Sequence, residues 1–238
     1  ARLQDVIVCV SEYDSRRALE LGIAFAEKLV TVHNGLEPRA MKLLTRKEAR
    51  MRLGLDEKDL VVGTIANFYK NKSLDTLVFA AISAHKPNVK FVIIGEGPER
   101  GKIEELIAKY KLGPQFVLAG AIRNAPLYLK AFDFFVLPSK KEGLPYALLE
   151  AMAAKLPCVV SDAGGMPEVV RNGANGIVIP HLTPGKLWEA VAGLAHNRKR
   201  ARELGARAEK TIEAQFSLEE MTGRTLEIYN IDTPSSVA

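Results

Sequence analysis

A chain of 238 residues with 47% hydrophobic and 26% charged side chains has globular proportions, which excludes a mainly disordered, collagen-like or coiled-coil molecule and bounds the fold at one large domain or one and a half. Lys and Arg number 33 against 28 Asp and Glu, a net charge of +5 that suits a phosphate-bearing ligand or an anionic membrane face equally well. Apart from Arg198-Lys199-Arg200 the basic residues are dispersed without the aromatic interleaving of a nucleic-acid module, and no apolar run reaches the roughly 18 residues of a spanning helix.

In chain order, the first predicted unit is a strand over 6–10, a helix over 12–21 and a strand over 28–32, closing at the Asn34-Gly35 turn and Pro38, which reads as a domain boundary. The start at Ala1 rather than Met, so near the first apolar run, reads as a piece cut from something longer. After residue 40 come six short, near-continuous apolar runs at 60–66, 90–94, 116–119, 134–137, 157–161 and 176–179, as expected of strands buried on both faces. Amphipathic segments at 73–85, 99–110, 125–131, 145–154 and 183–195 fill the gaps, two further helices at 199–216 and 218–229 end the chain, and residues 233–238 read as a frayed tail. The alternation predicts an α/β fold, a doubly wound parallel six-stranded sheet with helices on both faces.

Cys9 and Cys158 each sit inside an apolar run and read as small core residues, which fits a reducing compartment; the cytoplasm is the expected location, with peripheral membrane contact as a second option. His33, His85, His181 and His196 show no metal-ligand spacing, so no bound metal is expected.

In the common strand order 3-2-1-4-5-6 the first and fourth strands are neighbours, and ligands bind beyond their carboxyl ends. The loops so placed are 67–73 and 138–144, and both carry polar chemistry. Pro145 near the first helical position would leave the amides around Gly143 and Leu144 pointing off a helix N-terminus, a ready anion site. Glu142 precedes that helix, and Glu150 stands alone on its apolar face, where a carboxylate needs a hydrogen-bonding partner such as a sugar hydroxyl. A helix cap for Glu142 and solvent for Glu150 are the plainer alternatives for each glutamate taken singly.

Together, Glu142 and Glu150 within Pro138-Ser-Lys-Lys-Glu-Gly-Leu-Pro-Tyr-Ala-Leu-Leu-Glu-Ala-Met-Ala153 form a pattern that resembles the signature of the family 4, group 1 retaining glycosyltransferases of GT-B architecture. The stretches at 95–100, 161–168 and 172–176 resemble other landmarks of that family, in order and at fitting spacings. The resemblance covers nearly the whole chain. It implies that residues 1–36 are the tail end of an N-terminal acceptor domain with its hinge, and that 37–238 form a Rossmann-like domain that binds a nucleoside diphosphate sugar, a UDP-sugar by default.

Roles follow from the resemblance residue by residue. Glu150 would hydrogen-bond the ribose, Glu142 and the amides of Gly143 and Leu144 would face the donor sugar and its phosphate, and Lys72 would contact the diphosphate. The backbone around Gly120, Ile122 and Arg123 would border the base, and Gly164 and Gly165 would allow close approach to the sugar phosphate. At the position of the family's diphosphate-binding arginine stands Asn67, which carries no charge, with Lys70 of the same loop as a substitute cation. Lys155 stands where a helix-ending glycine is usual.

The expected function is retaining transfer of a sugar from the donor to a glycan, lipid or small-molecule acceptor, with the chain alone inactive for want of the acceptor domain. Competing readings are a non-catalytic nucleotide-sugar-binding or regulatory module, which Asn67 favours, and a nucleotide-sugar epimerase of similar build. A dinucleotide-dependent oxidoreductase fails on spacing, because Arg100 stands where the glycine fingerprint after Gly95 and Gly97 needs a third glycine.

Overall fold

The computed structural model describes residues 5–84 and 88–229. His85, with the end of the helix predicted over 73–85, and the tail predicted over 233–238 lie outside the described residues. The first unit is β1 (Ile7–Cys9), α1 (Glu12–Glu20) and β2 (Leu29–Thr31), a two-stranded parallel sheet whose helix is capped by Ser11 accepting from the Asp14 amide. The main sheet contains β3 (Leu60–Ile65), β4 (Val89–Ile94), β5 (Phe116–Gly120), β6 (Phe134–Leu137), β7 (Cys158–Ser161) and β8 (Ile177–Ile179). All pairings are parallel and the spatial order is β5-β4-β3-β6-β7-β8, the expected doubly wound order.

Helices cover both faces because the central strands are apolar on both sides: Val61, Val62, Phe134, Phe135, Val159 and Val160 are all fully buried. The helices of the main unit are α2 (Arg46–Arg52), α3 (Asp75–Ala84), α4 (Arg100–Lys109), α5 (Tyr146–Ala153), α6 (Met166–Val169), α7 (Pro184–His196), α8 (Arg198–Gln215) and α9 (Leu218–Ile228). One group packs α3 against α4 and α7, and another packs α5 against α8. Cys9 and Cys158 are free and buried, and desolvation pushes both thiols up, so they behave as core residues.

Three elements differ from expectation. Helix α2 was not anticipated, although Thr45 and Glu48 form a reciprocal capping box whose Thr-x-x-Glu spacing is a sequence signal. Residues 125–131 form a 3-10 helix rather than an α-helix, entered through Asn124 at φ 58 with a proline in the first turn. The short α6 overlaps the end of the stretch 161–168, for which the sequence offers a family landmark and no helix. Lys155 adopts φ 64 beyond the end of α5, the left-handed position that a glycine would otherwise take, and pairs with Glu209 at 2.9 Å.

The foot of the sheet, at the amino ends of the strands, is tied by the buried Arg50, which donates to the carbonyls of Asp56, Glu57, Asp59 and Ala131 and to Asp133. The first unit is fastened at the opposite end. Glu168 accepts from the Glu12 and Tyr13 amides at 2.9 and 2.8 Å and meets His33 Nε2 at 2.7 Å, while Asn34 donates to the Leu144 carbonyl at 2.7 Å. The chain end returns there too, through mutual backbone bonds between Leu36 and the segment 216–218. Two large apolar side chains of the first unit stay uncovered: Leu21 and Phe25 are 60% and 70% exposed.

Candidate functional site

The loops after β3 and β6 meet, as neighbouring strands require. After β3 the chain makes a 3-10 turn at Lys70–Lys72 and passes Ser73 at φ 50. The Lys140 amide donates to the Asn71 carbonyl at 2.7 Å, and Asn71 Nδ2 donates to the Lys141 carbonyl at 3.2 Å, so the two loops are held edge to edge. That contact sets Lys72 Nζ between the two carboxylate oxygens of Glu142, at 2.7 and 2.8 Å, with the Glu142 side chain only 7% exposed. Two of the sequence-singled residues are thus partners of each other before any ligand arrives.

A cavity of about 580 Å³ opens beside this pair, a size suited to a small-molecule ligand. Asn67, Lys72, Glu142, Gly143, Leu144 and Ile122 all line it. One wall is the start of α5, whose cap residue Pro145 makes no side-chain cap bond. The amides of Gly143, Leu144, Tyr146 and Ala147 donate to no backbone acceptor among the described residues, so unpaired donors and the positive end of the helix face the cavity. Among the described residues the buried hydroxyls that lack a partner, Thr64, Ser73 and Ser139, belong to β3 and these two loops, and none of them lines the cavity.

Glu150 stands one turn farther along α5 than Tyr146 and Ala147, half-buried and outside the cavity lining. Its carboxylate has no hydrogen-bond partner among the described residues, and burial alone pushes its pKa above the ordinary 4.5.

Other expected positions fall differently. Arg123 is exposed and outside the cavity lining, which residues 121 and 122 supply instead. Gly120, at φ 73, passes its carbonyl to the Gly95 amide at 2.9 Å and is one step removed from the wall. Gly164 and Gly165 serve a protein contact: at Gly164, φ 59, a Cβ would collide with the Glu142 carbonyl, and the Gly165 amide donates to the Gly143 carbonyl at 2.8 Å. They hold the loop that carries Glu142 rather than line the cavity. Lys70 lines a separate small recess with Lys102 and Lys140, so it does not replace the charge that Asn67 lacks. Among the described residues no cluster of His, Cys, Asp and Glu could hold a metal ion.

Sequence reasoning missed Val10, Gly95, Tyr146 and Ala147 in the wall. Val10 was findable, since it ends the first strand and the same carboxyl-end rule applies to that unit.

The family described as Glycosyl transferases group 1 matches residues 45–211. One curated relative, N-acetyl-alpha-D-glucosaminyl L-malate synthase of Bacillus anthracis, is 27% identical over 227 residues, 94% of this chain and 59% of its own length, so the chain spans about three-fifths of that relative. Among solved structures, Anabaena HepE in complex with UDP and glucose superposes with a TM-score of 0.89 at 19% identity over 96% of this chain and 64% of that one. The C-terminal domain of a glycosyl transferase group 1 family protein, LpcC from Francisella tularensis, is covered over 100% of its length by 77% of this chain, at TM-score 0.69 and 22% identity. At these identities the two structures establish the fold, that of a GT-B Rossmann-like lobe.

Proposed function

This chain belongs to the glycosyl transferases group 1 family, and from that premise we propose that residues 37–238 are the donor-binding lobe of a retaining, family 4 glycosyltransferase. The donor is a nucleoside diphosphate sugar, with UDP as the first base to test. Residues 1–36 are the end of an acceptor domain, and the bare apolar side chains of Leu21 and Phe25 on this unit support that division, as does the full coverage of the LpcC C-terminal domain. Acceptor recognition and the activity of the whole protein belong with that further domain, and the chain alone is inactive. The cytoplasm is its proposed location; among the described residues no helix is long and apolar enough to cross a membrane.

The observation that carries the reading is the cavity in which Lys72 and four unpaired amides converge beside Glu142, with the unpartnered Glu150 carboxylate one helical turn away. In the proposed transfer an acceptor hydroxyl bonds to the anomeric carbon on the face from which the diphosphate departs. The bond from that carbon to the phosphate oxygen breaks with its electron pair on the oxygen, which takes the hydroxyl proton. Lys72 and the helix-end amides spread the charge that develops on the leaving oxygen. Glu142, held by Lys72, faces the sugar, and Glu150 accepts from the ribose hydroxyls.

Calorimetry of this chain against nucleoside diphosphates and the matching nucleosides tests the reading, with uridine, guanosine and adenosine series run side by side. A diphosphate binds more tightly than its nucleoside if the cavity takes the phosphates. Equal affinities at moderate salt would remove the phosphate site.

A further inference from the structure

A second cluster of charge lies at the foot of the sheet, the length of β6 away from the cavity, about 13 Å for four residues. Asp133, 8% exposed, receives four donors: Arg50 at 3.0 Å and the Val61 amide at 2.8 Å on one oxygen, Arg46 at 2.9 Å and Arg198 at 3.3 Å on the other. Arg50 is spent on the interior, since its remaining donors reach four backbone carbonyls. Arg46 and Arg198 are different. Each gives a single bond to a carboxylate already saturated, and each is about half exposed, at 42% and 52%.

Two guanidinium nitrogens that share one oxygen stand no more than about 6 Å apart, and three guanidiniums gather on one carboxylate, so positive charge stays in excess even with Glu57 acting on Arg50. The nearest acidic residue on α2, Glu48, is occupied by Thr45 in the capping box. Arg198 is further steadied over the Phe134 ring, 5.8 Å from its centroid. Like charges held together by the fold, with free donors turned to solvent, are a preformed receptor for a tetrahedral oxyanion, because guanidinium forks match phosphate oxygens and little rotamer freedom is left to lose.

We propose that Arg46 and Arg198 form a second anion site, specific for a phosphate group and separate from the donor cavity. Lys47, Lys199 and Arg200 stand next to them in sequence and are exposed, which adds positive field without fixed geometry.

The test uses isotope-labelled chain carrying Lys72→Ala, so that the donor cavity is weakened, and inorganic pyrophosphate as the probe. Saturable NMR shifts are expected at residues 46, 133, 134 and 198. Arg198→Ala weakens the binding about tenfold, Arg198→Lys weakens it less, and Arg46→Ala with Arg198→Ala removes it, while melting shows each variant folded. Co-sedimentation with vesicles containing phosphatidylserine separates the sources: capture lost in the double variant assigns a lipid headgroup, and pyrophosphate binding without capture assigns a soluble phosphate. No shifts and no capture, or shifts that survive the double variant, would overturn the site. Its outcome is independent of the donor reading, because nucleotide affinity depends on Lys72 and Glu150 and this site does not.

Discussion

At Lys72 the structure changes what a substitution should do. Lys72→Ala removes the counter-charge of a Glu142 carboxylate that is 7% exposed, so the variant loses a contact to the diphosphate and leaves an anion repelling it. Nucleoside diphosphate binding should fall by about 1 to 3 kcal/mol with nucleoside binding almost unchanged. Adding Glu142→Gln should recover stability in a melting experiment without restoring the affinity. Asn67→Arg, on the cavity rim, should tighten the diphosphate; no gain in calorimetry would mean that residue 67 does not face the phosphates. Glu150 supplies a pH signature. Because burial raises its pKa, its contribution to native stability is present at low pH and is lost as pH rises through the raised value. Ribose hydroxyls donate to the ionised form, so ribonucleotide affinity should climb over that same window above pH 4.5 and then level off. Glu150→Gln should flatten the profile and cost about 1 to 3 kcal/mol at neutral pH, and a 2′-deoxy nucleotide should lose less. A profile identical in parent and variant would exclude the ribose contact.

Elements transmit position to these residues, and their legibility in the sequence varies with the physics behind each. The six strands and their order were readable because burial on both faces demands unbroken apolar runs, and the order then located loops 67–73 and 138–144. Where a contact is made only by tertiary folding, the sequence offered no handle. Nothing local says that Glu168 will cap α1 from more than 150 residues away, or that Lys72 will close on Glu142. Gly164 and Gly165 were recognised as close-approach residues, but the partner, the backbone of 142–143, emerged only in three dimensions. Two predictions belong to this scale. Gly164→Ala forces a left-handed alanine against the Glu142 carbonyl, so it should destabilise the chain by about 1 to 3 kcal/mol and displace Glu142, lowering nucleotide affinity together with the melting temperature. Glu168→Ala should free the amino end of α1 and His33, and the sign to look for is proteolysis within residues 5–32 at concentrations of protease that leave the main sheet intact.

Across the whole molecule the cavity is a junction. Val10 comes from the first unit, Asn67 and Lys72 from the loop after β3, residues 121–122 from beyond β5, and Glu142 to Ala147 from the approach to α5. A ligand that touches all four regions binds only while they are assembled, so it stabilises the folded chain by linkage rather than by any local repair. At a nucleoside diphosphate concentration of about 100 times Kd that amounts to about 2.7 kcal/mol, which in a domain of this size raises the melting temperature by about 5 to 10 °C. The nucleoside alone, lacking the contacts at Lys72 and the helix-end amides, should move it much less at the same concentration. Glu168→Ala provides the control at this scale. It lies outside the cavity lining but fastens the first unit to the sheet, so if the junction is cooperative the variant should bind with reduced affinity and a smaller thermal shift. An unchanged shift would show that the main sheet and its loops bind the nucleotide by themselves, with Val10 a bystander at the rim.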